Sequence, residues 1–144
     1  MGGKRHIRAL THDMINSADE FRRLRTSGKP EEQSRAASDE ASEGVWKEVI
    51  ETLWEMRFWV AQNKTVPLSI LEALAHDPDG RVRSMVAMKR KLDARLLVLL
   101  AADEDAAVRH AVASNRSAPR EVLARLSRDE EQFVAEAAAE RLGA

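Results

Sequence analysis

Three sets of residues in this chain have types and spacings that could do chemistry. The acid pairs Asp77 with Asp79 and Asp103 with Asp105 could bind calcium or share acid–base work. Neither pair continues into a full calcium loop closed by glutamate, and N-capping of a following helix accounts for both. A basic row, Lys64, Arg90 and Arg116, is flanked by Lys89, Lys91, Asn63 and Asn115. It could follow phosphates or an acidic partner; the competing reading, which weighs more, is that each cation sits at the carbonyl end of its own helix. Arg57, Arg83 and Arg109 stand beside Asp77, Asp103 and Asp129 in the third set. Guanidinium and carboxylate pair in bidentate fashion, so this set reads as a structural ladder tying neighbouring segments together. His76 and His110 occupy dissimilar positions with no third ligand at metal spacing, and read as surface histidines. There is no Gly-rich phosphate loop, Ser/His/Asp arrangement or nucleophile elbow, and the serines sit in linkers and turns. No catalytic, cofactor or metal residues are assigned, and the chain reads as no enzyme.

The elements that must position these residues follow from an internal period of 26 residues. Met56-Arg57, Val82-Arg83 and Val108-Arg109 recur, each followed four residues later by Val60-Ala61, Val86-Ala87 and Val112-Ala113. Ile70-Leu71 with Leu74-Ala75, Leu96-Leu97 with Leu100-Ala101, and Val122-Leu123 with Leu126-Ser127 recur in the second half. The spacing i, i+3, i+4 predicts two short helices per repeat, with Pro67 and Pro119 just before a helix and Asp93 in the same slot as a cap. A helix of about ten residues is about 15 Å long and cannot bury its apolar face alone, so neighbouring repeats must stack. The expected architecture is all-α: an α-solenoid, right-handed or mildly twisted, of two-helix repeats 56–81, 82–107 and 108–133 with a half repeat 134–144. Leu71, Leu74, Leu97, Leu100, Leu123, Leu126, Val60, Val86 and Val112 are its expected continuous core.

Ahead of the repeats, residues 1–15 show no periodicity and are expected to be a mobile basic tail, and 16–55 to be an N-terminal helical cap. Phe21 and Leu24 mark one helix, broken at Ser27-Gly28-Lys29-Pro30, and Pro30-Glu31-Glu32 opens an Ala-rich second one. A longer helical run, Val45 to Gln62, holds Trp46, Trp54, Trp59 and Phe58. Trp46 and Trp59 are expected to seal the first repeat, while Trp54 is a candidate partner anchor, because tryptophan dominates interface hot spots.

Composition sets the outer limits. The chain has 144 residues, no Cys, 23 Lys and Arg against 24 Asp and Glu, and a formal net charge of −1. Zero cysteine excludes a disulfide scaffold, thiolate zinc, Cys-ligated clusters and a cysteine nucleophile. No stretch approaches the roughly 20 apolar residues a membrane span requires, and the basic start lacks the apolar run of a signal peptide, so the expected compartment is the cytoplasm. Residues 1–29 carry net +4 and residues 30–55 net −6, a balance that argues against a dedicated nucleic-acid binder without excluding a local basic stripe.

The run Pro119-x-x-Val122-Leu123-x-x-Leu126-x-x-Asp129, preceded by Val108-Arg109-x-x-Val112-Ala113-x-Asn115, resembles the leucine-rich repeat variant group of HEAT-like α-solenoids. The resemblance spans residues 56–144 and implies a binding surface rather than a particular chemistry. The founding type of the variant carries an iron–sulfur cluster on cysteines, which this chain lacks, so no cofactor is carried over. Some alkylpurine DNA glycosylases are built from HEAT-like repeats, but this chain is similar to them only in repeat style and inherits no catalytic residue. The resulting expectation is a protein-binding module, acting through its edge loops and the surface of its second helices. Lys64, Lys89, Arg90, Arg116 and Trp54 are the candidate contacts. A bacterial adaptor, scaffold or immunity-like inhibitor suits the size and charge; the alternative is a nucleic-acid-binding module using the same basic row.

Overall fold

A computed structural model of the chain describes residues 14–143, which divide between Ile70 and Leu71 into two compact units. The first unit opens with β1 (Met14–Ile15), which pairs in parallel with β2 (Glu40–Ala41) in the register Met14↔Glu40 and Ile15↔Ala41. Residues 1–13 of the expected tail lie outside the described residues. Its last two, Met14 and Ile15, are strand, and Ile15 is buried because its side chain joins the core beneath the next helix.

Helix α1 (Ala18–Thr26) is capped by Ser17, whose hydroxyl accepts the Glu20 N–H, while the Glu20 carboxylate accepts the Asn16 N–H in return. α2 (Pro30–Ser38) begins on proline, where the missing N–H costs nothing. α3 (Glu43–Thr52) is capped by Ser42. Phe21 of α1 meets Trp46 of α3 edge to face at 5.3 Å, and both are fully buried, forming the centre of this unit with Leu24 and Val49.

The single helical run expected over Val45 to Gln62 is interrupted. Leu53 leaves helical geometry at φ −121° and ψ 74°, a 3-10 turn spans Trp54–Met56, and α4 covers Arg57–Gln62. Buried side chains at Trp46, Val49, Met56 and Val60 keep a helical spacing across the break, so both pieces face the same core. α5 (Leu68–Leu74) carries the boundary between the units.

The second unit holds α6 (Gly80–Ala87), α7 (Ala94–Ala101), α8 (Ala106–Ala113), α9 (Arg120–Leu126) and α10 (Gln132–Gly143). Helices α6, α8 and α10 start 26 residues apart and pack side by side in one layer; α7 and α9 pack against each other in the second layer. Asp79, Asp93 and Asp105 each accept the N–H of the residue two further on, which opens α6, α7 and α8. All nine expected core residues, Val60, Leu71, Leu74, Val86, Leu97, Leu100, Val112, Leu123 and Leu126, are buried. Among the described residues no helix is long and apolar enough to cross a membrane.

Candidate functional site

Two ladders of side-chain hydrogen bonds link successive helices of the second unit. In the first, Arg83 grips Asp103 with two parallel bonds, Nε to Oδ2 at 2.8 Å and Nη2 to Oδ1 at 3.1 Å, and its Nη1 donates to the Asp77 carbonyl at 2.6 Å. Arg109 repeats this on Asp129 at 2.7 and 3.1 Å, with Nη1 on the Asp103 carbonyl at 2.8 Å. Each acid also accepts a backbone N–H from the residue two further on, so one carboxylate closes the turn and receives the fork. These hydrogen bonds raise the Arg83 and Arg109 guanidinium pKa values, and the Arg109 fork is the main reason the Asp129 carboxyl lies below its ordinary value. Arg57 lies in the first unit, its guanidinium 4.9 Å from the centre of the Trp54 ring. Asp77 is buried and accepts the Asp79 N–H.

The second ladder is absent from the sequence reading. Asn63 and Asn115, expected to flank a basic row, are instead buried and point inward. The Asn115 amide donates to the Ala87 and Lys89 carbonyls, both at 2.7 Å, and its oxygen accepts the Ser117 N–H. Asn63 does the same to the Ala36 and Asp39 carbonyls and to Thr65. Arg141, 26 residues after Asn115, donates Nη1 to the Ala113 and Asn115 carbonyls at 3.1 and 2.9 Å. One register slot thus supplies N–H donors to the carbonyl end of a preceding helix, where helical partners run out. Lys89 fills the same slot, and its burial lowers the amine pKa to about 8.

Ser117 donates its hydroxyl to the Arg90 carbonyl at 2.6 Å, so together with Asn115 it bonds the loop after α8 to the loop after α6. That brings the exposed Arg90 and Arg116 onto one edge of the second unit, with the half-buried Lys89 beside them. Lys64 and Trp54 belong to the first unit. Lys64 is exposed, and Trp54 is 69% exposed at the start of the 3-10 turn. Trp46 is fully buried; Trp59 is half-buried under the Arg25 guanidinium, 3.5 Å from its ring centre. His76 is exposed, and His110 is half-buried with its ring 5.5 Å from Phe133.

An open depression of about 430 Å³ lies on the second unit where α8 meets α10. It is lined by His110, Ala113, Ser114, Phe133, Glu136, Ala137, Glu140 and Arg141. Phe133 is 48% exposed there, at the second position of an alanine-rich helix. The signal that could have found it is a broken repeat: the slot holds Arg81, Ala107 and then Phe133.

Neither a curated protein nor a solved structure matches the chain. The family model described as Leucine rich repeat variant matches residues 106–131, from the first residue of α8 to the turn before α10. With ten α-helices and only two two-residue strands among the described residues, this chain is a helical repeat protein similar over 106–131 to the leucine rich repeat variant family, a HEAT-like helical repeat.

Proposed function

We propose that the chain is a non-enzymatic protein-binding module of adaptor, scaffold or inhibitor type. It engages its partner through the solvent face of the second helices α6, α8 and α10. The observation that supports this is the side-by-side layer those helices form, which leaves Met88 exposed at the end of α6 and Phe133 exposed in the lining of the open depression. Exposed large apolar side chains around a concavity are what a protein interface uses as its centre. Trp54 is a further anchor of the same kind on the first unit, and Lys64, Lys89, Arg90 and Arg116 are proposed as polar contacts, each on its own unit.

A second reading, a nucleic-acid-binding module, is favoured by one arrangement: the bonded loops that hold Arg90 and Arg116 along one edge. The two readings separate in one experiment. The immobilised full chain is exposed to host lysate with and without nuclease, at low and raised salt. A stoichiometric protein that survives nuclease and is lost on Phe133→Ala or Trp54→Ala supports the first reading. Retained nucleic acid, released steeply by salt and lost with Arg90→Ala, would overturn it in favour of the second.

A further inference from the structure

We propose that the depression between α8 and α10 seats an arginine side chain of the partner protein. Its guanidinium stacks on Phe133 and pairs with Glu136 and Glu140. The proposal rests on the protein-binding reading and specifies the chemistry of its partner.

Phe133, Glu136, Ala137 and Glu140 fall at i, i+3, i+4 and i+7 of α10, so the ring, both carboxylates and a small residue share one face of one helix. One side of the ring leans on His110 at 5.5 Å, and nearly half of Phe133 remains open to solvent. Among the described residues neither glutamate has an ion-pair partner; Glu136 accepts only the neutral Gln132 amide, at 2.7 Å. Arg141, which also borders the depression, is committed through Nη1 to the Ala113 and Asn115 carbonyls. Two carboxylates therefore face one guanidinium, which is already held by carbonyls, and the lining keeps an excess of negative charge. Ala113, Ser114 and Ala137 keep part of the lining small, and about 430 Å³ stays open, room for a guanidinium and its methylene stem.

Arginine suits this arrangement better than lysine for two reasons. Its planar fork spans two acceptors and lies flat on an aromatic face, whereas an ammonium is a strongly hydrated point charge. The chain itself uses both halves of this chemistry: Arg25 lies over Trp59 at 3.5 Å, and Arg109 forks onto Asp129.

The test uses the isotope-labelled full chain and three capped tripeptides, in which two leucines flank arginine, lysine or glutamate. The arginine peptide is expected to shift the amide resonances of His110, Ser114, Phe133 and Ala137 saturably, and the lysine peptide to bind about threefold more weakly. Joint Glu136→Gln and Glu140→Gln should weaken the arginine peptide about tenfold, Phe133→Leu should weaken it about threefold, and Arg120→Ala, an exposed position on α9, should leave it unchanged. These positions are exposed, so the variants are expected to unfold at the wild-type urea midpoint. No saturable shift with the arginine peptide, or an equal response to the glutamate peptide, overturns the seat. No arginine-peptide shift, with glutamate-peptide shifts confined to Arg90 and Arg116, would remove the seat yet leave the protein-binding reading standing. Nucleic acid shifting those same residues, with no peptide response, would remove both.

Discussion

Replacing Arg109 with methionine keeps the aliphatic stem and deletes the guanidinium, and so tests the ladder directly. The wild-type fork makes two bonds to Asp129 at 2.7 and 3.1 Å and donates to the Asp103 carbonyl at 2.8 Å. Both side chains are about nine-tenths buried, at 12% and 8% exposure. Removal leaves the Asp129 carboxylate with the Glu131 N–H at 2.9 Å as its one remaining donor among the described residues, and leaves the Asp103 carbonyl short of one. Breaking a buried pair on one side costs about 3–5 kcal/mol, far more than the about 0–1 kcal/mol of an exposed pair, and the burial here selects the larger figure. Urea titration of Arg109→Met at pH 7 should therefore lose about 3–5 kcal/mol.

The pH dependence gives the sign independently. Because Arg109 lowers the folded-state pKa of Asp129 below its ordinary 3.8, the unfolded chain binds this proton first as pH falls. The stabilisation is complete above 3.8 and disappears as pH drops through the lower folded-state value. The gap between wild type and Arg109→Met should consequently narrow below pH 3.8. Arg109→Met combined with Asp129→Leu should recover about 2 kcal/mol relative to the sum of the single losses, since an apolar pair leaves no buried charge behind. A single-variant loss under about 1 kcal/mol, or additive losses in the double variant, would refute the reasoning.

Leu100 is 1% exposed in α7, and Leu100→Ala should cost about 2–5 kcal/mol in the same titration; under about 1 kcal/mol would show that the site collapses freely. Asn115→Ala strips one donor group from the Ala87 and Lys89 carbonyls and an acceptor from the Ser117 N–H, at an expected cost of about 2–3 kcal/mol; hydrogen exchange should accelerate at Ser117, in the loop after α8, before it does in α8 itself. Burial lowers the Lys89 amine to about 8, so between pH 8 and its ordinary 10.5 the unfolded chain binds the extra proton and stability should rise with pH. That alkaline gain should vanish in Lys89→Met, and an unchanged gain would assign it elsewhere. Gly80 stands where a methyl would overlap the Asp105 carboxylate, the cap of α8, so Gly80→Ala should lose about 1 kcal/mol instead of gaining from helix propensity, read as a lower urea midpoint.

Which parts of this fold can be read in the sequence depends on whether a residue faces the next repeat. Leu97 with Leu123, and Arg83 with Arg109, recur because each repeat must present the same face to its neighbour, and self-comparison finds them at once. The break at Leu53 escapes local periodicity, since Trp46, Val49, Met56 and Val60 keep helical spacing through it. It is visible only in the long register: Trp54 opens the 3-10 turn 26 residues before Gly80 opens α6. The pairing of Met14–Ile15 with Glu40–Ala41 is too short to show alternation. The amide ladder is hidden for a different reason. Asn115 and Arg141 share a slot and a task but not a residue type; what they have in common is an N–H donor, and letter matching does not see donors.

The same logic explains why the exposed site was harder to read than the scaffold. A repeating residue is held to its type by the neighbour it packs on, so periodicity singles out interior positions. Asn63 and Asn115 stand out by their shared slot, and both are buried; Arg90 and Arg116 repeat on loops that are bonded to one another. A surface that contacts another molecule has no such constraint, and its residues differ from one repeat to the next. The slots on the solvent side of α6, α8 and α10 behave this way: Arg81, Ala107 and Phe133 in one, and Ser84, His110 and Glu136 in the next. In a helical repeat the exceptions to the period are the trace a binding face would leave, and here those at His110, Phe133 and Glu136 line a depression of about 430 Å³ between α8 and α10, the seat proposed above.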